Sequence, residues 1–241
     1  MPRLATYLIP DPTSRLYLTA TAILGYDVFA ERDVDRPEAL GPYAESIRDW
    51  IGPAHVFGIH ATIGDALEFP DDQVRVIEDR LVEIARRTPP FVLTNGRIHT
   101  GFREFPRALV ATFDNEDCAL RELEDRVVTE INVLRSASPH FGARSNTYSG
   151  LRRAQFERFG SPDVRSLFDL HFTLATGVPD SETWHLLGDL FRNELGLFST
   201  PDQRTITIDK IYLLEQRSDG HYGVRRTYPL TANISRAQPI T

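Results

Sequence analysis

Two tripeptides of one form, His60-Ala61-Thr62 and His171-Phe172-Thr173, stand 111 positions apart in this chain. Each lies in an apolar run, and each is followed by a Pro-Asp pair, Pro70-Asp71 and Pro179-Asp180, that opens a helical pattern. Along a strand, residues i and i+2 share a face. On that rule Gly58, His60, Thr62 and Gly64 share one face of the first run, and Ile59, Ala61 and Ile63 the other. In the second run Asp169, His171, Thr173 and Ala175 share a face, and Leu170, Phe172 and Leu174 oppose it. The apolar faces require cover by helices. The polar faces, with small residues beside the His and Thr, suit a cleft.

The surrounding pattern repeats as well. Leu4 to Ile9 reads as a strand stopped by Pro10 and Pro12, and helices are expected over Ser14 to Leu24 and Pro37 to Trp50. Val56 to Ile63 is the strand of the first motif, Pro70 to Arg87 a helix with Val74, Ile77, Leu81 and Ile84 at helical spacing, and Phe91 to Ile98 a strand. The second half follows the same order. Arg107 to Phe113 is a strand, and a helix capped by Asp114 or Asn115 runs to about Leu134. Ser136 to Ser149 is a polar loop, Leu151 to Phe159 a short helix, and Phe168 to Ala175 the strand of the second motif. A helix over Ser181 to Leu195 and a hairpin of Thr205 to Glu215 with Tyr222 to Tyr228 complete the chain. The expected architecture is α+β: a bilobal, pseudo-symmetric duplication of a β-α-β-α-β unit. Two antiparallel sheets would face a central cleft, with helices outside. The whole chain, 1–241, is expected to be one bilobal domain, its first half about 1–104 and its second about 105–241.

Two imidazoles and two hydroxyls around one pocket suit phosphodiester cleavage. A neutral His takes a proton from the attacking water, and a protonated one donates to the leaving oxygen. Thr62 and Thr173 are placed to hydrogen-bond the non-bridging phosphate oxygens, where charge accumulates. The two histidines cover both proton transfers, so neither a metal nor another cofactor is expected, and the pH–rate profile should be bell-shaped.

At 241 residues a packed core needs no disulfide or structural metal, and the single Cys118, expected to be partly buried, has no partner for a disulfide. The formal net charge of −7 argues against a broad basic surface for duplex DNA but permits a local phosphate pocket. No apolar run reaches the roughly 20 residues of a membrane span, and Met1-Pro2-Arg3-Leu4 lacks the order of a secretory signal; a cytoplasmic location is the expectation. No phosphate-cradling glycine loop or nucleophile elbow is present.

The pair His60-Ala61-Thr62-Ile63 and His171-Phe172-Thr173-Leu174 resembles the twin signature of the two-histidine (2H) phosphoesterase superfamily, which includes 2′-5′ RNA ligase-like proteins and cyclic nucleotide phosphodiesterases. The resemblance is closest to a branch associated with bacterial phosphonate metabolism, through Ala5-Thr6-Tyr7-Leu8-Ile9-Pro10, Leu24-Gly25-Tyr26-Asp27, Phe57 to Thr62 and Leu151 to Gly160. It implies a bilobal α+β fold, His60 and His171 as acid and base in an order left open, and Thr62 and Thr173 as phosphate binders. The chain departs from that branch at Gly64-Asp65-Ala66-Leu67, where Lys-Ala-Pro-Phe is usual, which removes a basic residue near the site.

Further candidates for substrate contact are Tyr7, from the opening strand, Arg103 and Arg107, beside a strand connection, and Arg144 and Tyr148, in the long loop. His55, five residues before His60, would face the opposite way on a continuous strand and share no ligand with it, whereas His99, His140, His185 and His221 fit no zinc spacing and read as structural or surface residues. The expected ligand is a small nucleotide or sugar cyclic phosphate, or an RNA terminus. The expected activity is metal-independent hydrolysis of a 2′,3′-cyclic phosphate, a 2′-5′ phosphodiester or a related cyclic sugar phosphate. The alternative is an inactive module that binds a nucleotide or RNA end in the same cleft.

Overall fold

The computed structural model describes residues 1–102, 105–115 and 118–232. In chain order its strands and α-helices are β1 (Arg3–Leu8), α1 (Arg15–Leu24), β2 (Tyr26–Asp27), β3 (Arg32–Asp33), α2 (Ile47–Ile51), α3 (Ala54–Phe57), β4 (Ala61–Glu68), α4 (Gln73–Arg87), β5 (Phe91–Phe102) and β6 (Phe105–Asp114). There follow α5 (Ala119–Glu130), α6 (Pro139–Gly142), α7 (Gly150–Phe159), β7 (Phe172–Ala175), α8 (Ser181–Asp189), β8 (Ile206–Ile208), β9 (Lys210–Gln216) and β10 (Tyr222–Pro229).

Local chemistry sets most of these boundaries. Leu4 to Leu8 are all buried, so β1 is a central strand covered on both faces, and Pro10 follows its end. Ser14 caps α1 by accepting from the Tyr17 amide at 3.1 Å, and Gly25, at φ 79°, closes it in the left-handed conformation. In α4 the residues Ile77, Leu81, Ile84 and Ala85 are buried on one face, and Thr88-Pro89-Pro90 stops the helix.

Eight strands form one antiparallel sheet in the order β10-β9-β1-β4-β7-β6-β5-β8, and β2 pairs with β3 in a small second sheet. The two sheets expected from the sequence are the halves β10-β9-β1-β4 and β7-β6-β5-β8, joined by the single register pair Ala61↔Phe172. Each half of the sheet mixes strands from before and after residue 104: β9 and β10 join β1 and β4, and β5 joins β6, β7 and β8. Helices cover the outside. The α5 helix packs on β4 and α4, α8 on β5 and β6, and α1 against β7.

Several expected elements are shorter or split. The run Pro37 to Trp50 breaks into a 3₁₀ segment, Glu38–Tyr43, and α2, because Pro42 interrupts the hydrogen-bond ladder. Val56 to Ile63 is not one strand: α3 ends at Gly58, whose φ of 61° turns the chain before β4 begins at Ala61. A Cβ at Gly58 would come within 2.6 Å of Val28 Cγ1, so this turn admits glycine alone without rearrangement. The second motif's strand likewise shortens to β7. The α5 cap is Cys118 rather than Asp114 or Asn115, and that cysteine is exposed, not partly buried. The α8 helix ends at Asp189 and passes into a π-turn, Leu190–Glu194. Thr205 to Glu215 is two strands, β8 pairing with β5 and β9 with β1, so the chain crosses from one half of the sheet to the other at Asp209.

Candidate active site

The site is built where β4 meets β7. Antiparallel pairing through Ala61↔Phe172 sets His60 beside Thr173 and Thr62 beside His171, with all four on one face. Ala61 and Phe172 point the other way and are buried. All four polar side chains line one cleft of about 300 Å³. On the flanking strands, Tyr7 of β1 is the register partner of Thr62, and Val110 of β6 is the partner of Thr173. Both also line the cleft.

The two imidazoles are held in the same way. His60 Nδ1 lies 2.9 Å from the carbonyl of Gly58, and His171 Nδ1 lies 2.9 Å from the carbonyl of Asp169. A carbonyl only accepts, so each Nδ1 carries the proton and donates it. The neutral ring then has its lone pair on Nε2. The carbonyl two residues before each histidine thereby fixes the tautomer as well as the ring orientation.

The environments of the two rings differ. Tyr7 stacks on His60 with centroids 3.9 Å apart and planes 17° apart, and Phe57 packs at 5.7 Å. Burial pushes the His60 pKa down to about 4; the Gly58 hydrogen bond opposes the shift and His171 adds to it. His60 is therefore neutral near pH 7. The position equivalent to Tyr7 beside the second motif is the aliphatic Val110.

The cleft holds groups that sequence reasoning did not single out. Asp65 lies three residues after Thr62, so regular alternation would put it on the opposite face. The register shift between Thr6 and Tyr7 sets Ile63 as an extra residue in β4 between Thr62 and Gly64, and this single change of parity returns Asp65 to the cleft side. The signal was Gly64, a glycine inside a strand. It also lets α5 approach: a Cβ there would sit 2.8 Å from Val127 Cγ1 and 3.1 Å from Thr6 Cβ. Burial pushes Asp65 up to about 6, with Asp163 adding and a hydrogen bond from Ser161 opposing. Glu124 of α5, also lining the cleft, accepts from the Arg165 amide at 2.8 Å and is pushed by burial up to about 7. Both carboxyls take up protons close to neutrality.

A cation reaches the same cleft from α7. Arg152 lines it, pairs with Asp163 at 2.7 Å and lies over the Tyr148 ring at 5.4 Å. The basic residue absent after Thr62 thus has a counterpart from another element. His140, read as structural or surface, lines the cleft as well. Arg144 and Tyr148 do not line it; Tyr148 touches it only through Arg152. Arg103 and the side chain of Arg107 lie outside the described residues. Of the remaining histidines, His55 and His221 approach one another away from the cleft.

This architecture is an α+β fold that is also found among solved structures. The crystal structure of TT0787 from Thermus thermophilus matches it at TM-score 0.51 and 15 % identity, over 96 % of this chain and 99 % of that one. E. coli LigT complexed with phosphate matches at TM-score 0.47 and 13 % identity, over 95 % and 98 % of the two chains. E. coli LigT complexed with NADP+ matches at TM-score 0.48 and 13 % identity, over 96 % and 99 %. The α+β fold expected from the sequence is the one this chain shares with TT0787. The chain belongs to the family described as "Protein of unknown function (DUF1045)", which matches residues 70–222. No curated protein matches the chain. No helix among the described residues is long and apolar enough to cross a membrane.

Proposed function

We propose that this protein is a two-histidine phosphodiesterase acting on a 2′,3′-cyclic phosphate, a 2′-5′ phosphodiester or a related cyclic sugar phosphate. The observation that carries the reading is the matched tethering of His60 and His171 through Nδ1, with Thr62 and Thr173 in the same cleft. His60, neutral near pH 7, accepts a proton from water through Nε2. The oxygen of that water forms a bond to phosphorus while one ring P–O bond breaks. His171 in its imidazolium form donates the Nε2 proton to the departing sugar oxygen, leaving a phosphomonoester. The Thr62 and Thr173 hydroxyls donate to the non-bridging oxygens as charge grows there. Among the described residues, Arg152 is the cleft-lining cation available to the phosphate, and the Asp65 and Glu124 carboxyls suit sugar hydroxyls or base amino groups.

The test is a panel of 2′,3′-cyclic nucleotides, 2′-5′-linked dinucleotides and ribose cyclic phosphates, assayed with the purified chain in excess EDTA. Turnover of at least one ester to a phosphomonoester is expected. Saturable binding across the panel without any turnover would reject catalysis and establish a binding module for nucleotide or RNA ends. The proposed ligand is correspondingly a small phosphate ester or RNA terminus, and the proposed site of action is the cytoplasm.

A further inference from the structure

Outside the cleft, Asp33 of β3, His55 of α3 and His221, just before β10, bring one ligand atom each within 4.8 Å of one another. None of the three lines the cleft. His55 Nε2 lies 3.3 Å from His221 Nε2 and 3.6 Å from Asp33 Oδ1. Both Nδ1 atoms face acceptors instead: His55 Nδ1 donates to the Leu24 carbonyl at 2.9 Å, and His221 Nδ1 lies 3.5 Å from Asp219 Oδ1. With protons held on both Nδ1 atoms, two neutral rings would point Nε2 lone pairs at each other across that 3.3 Å gap. A cation between them removes the repulsion.

We infer that Asp33, His55 and His221 form a binding site for a divalent transition metal ion, zinc above all, that ties together three elements remote in sequence. The donor set is two imidazole nitrogens and one carboxylate oxygen, which suits zinc and not the all-oxygen shells of calcium or magnesium. The spacing agrees. Zn–N bonds of about 2.0–2.1 Å give a tetrahedral edge of about 3.3–3.4 Å, and the observed Nε2–Nε2 distance is 3.3 Å. The outer contacts match the usual arrangement, in which each ligating His donates its other nitrogen to a carbonyl or carboxylate. The Asp33 side chain is 75 % exposed, which leaves the fourth position to water. His221 is further held by the Tyr26 ring, at 4.5 Å.

The ion would sit behind the wall of the cleft. Phe57, two residues after His55, stacks on Tyr222, next to His221, at 4.6 Å, and it also packs on His60 at 5.7 Å and Tyr7 at 6.5 Å. The metal therefore fixes α3 and the β9–β10 hairpin, on which this aromatic wall is mounted, and takes no part in the proton transfers. The inference is independent of the reaction proposed for the cleft.

The test uses the full chain without an affinity tag, stripped with EDTA, freed of chelator and titrated with Zn²⁺ by calorimetry. One ion per chain is expected, together with a rise in Tm and visible d–d absorption when Co²⁺ replaces zinc. His55→Ala and His221→Ala should lose the stoichiometric site, and the exposed Asp33→Asn, which keeps the fold, should weaken binding by about 10–100-fold. His60→Ala and His171→Ala should still bind one ion. The inference is overturned by the absence of saturable binding. It is equally overturned if Asp33→Asn and His221→Ala bind as the unaltered chain does, or if binding disappears in His60→Ala and His171→Ala instead.

Discussion

Tyr7 and His60 lie face to face, centroids 3.9 Å apart and rings 17° from parallel, so the aromatic residue of β1 closes one side of the first imidazole. This contact contributes to the burial that lowers the His60 pKa from 6.5 to about 4. Tyr7→Ala should admit water and raise the His60 pKa toward 6.5, while Tyr7→Phe should leave it near its original value. The acid limb of kcat/KM, which reports His60 losing its basic form as pH falls through about 4, should move upward with it in Tyr7→Ala. Titration of the imidazole proton resonances by NMR, beside the pH–rate profile, checks both. An unmoved His60 titration in Tyr7→Ala would show that other walls of the cleft set its pKa.

Glu124 gives a stability prediction of opposite sign. Its pKa is raised from 4.5 to about 7 in the folded chain, so its contribution is fully present below pH 4.5 and is lost as pH rises through about 7. His60, with a depressed pKa, contributes above pH 6.5 and loses that contribution as pH falls through about 4. Glu124→Gln keeps an acceptor for the Arg165 amide without a titrating group. It should be more stable than the unaltered chain above pH 7, by on the order of 2–3 kcal/mol, and match it below pH 4.5. Urea unfolding at pH 8 and pH 4.5 measures the difference; equal gains at both would reject the linkage.

Gly64 predicts a packing penalty. Its missing Cβ leaves the space into which Val127 Cγ1 projects, 2.8 Å from where that Cβ would lie, and Val127 is a stiff, fully buried residue. Gly64→Ala should cost about 1–3 kcal/mol and displace α5 from β4. Because Glu124 rides on α5 and Asp65 follows Gly64, the carboxyl titrations should shift too. Denaturant unfolding read beside a pH titration tests this, and a neutral ΔΔG would refute the close approach.

The paired motifs were legible because strand alternation and the repeated Pro-Asp helix starts are local signals. The structure brings His60, Thr62, His171 and Thr173 to one cleft, and Tyr7 of the opening strand lines it too. Asp65 was not legible, because bulges change the parity of a strand and are set by pairing with β1. Glu124, Arg152 and His140 come from α5, α7 and α6, whose approach to the cleft is a tertiary fact that no spacing records. The division of Thr205 to Glu215 between two halves of the sheet was hidden for the same reason: both pieces have strand composition, and only their partners separate them. Asp33, His55 and His221 meet through three separate elements, so a search for sequential zinc spacing passes over them.

The most direct test of the account is the initial rate of hydrolysis, in excess EDTA and below the unfolding temperature of the metal-free chain, for the ester of the panel that turns over fastest. His60→Ala and His171→Ala, each shown to be folded by circular dichroism, should both lose about 10²–10⁴-fold in kcat. Full activity in either variant would contradict paired acid–base catalysis by these two histidines.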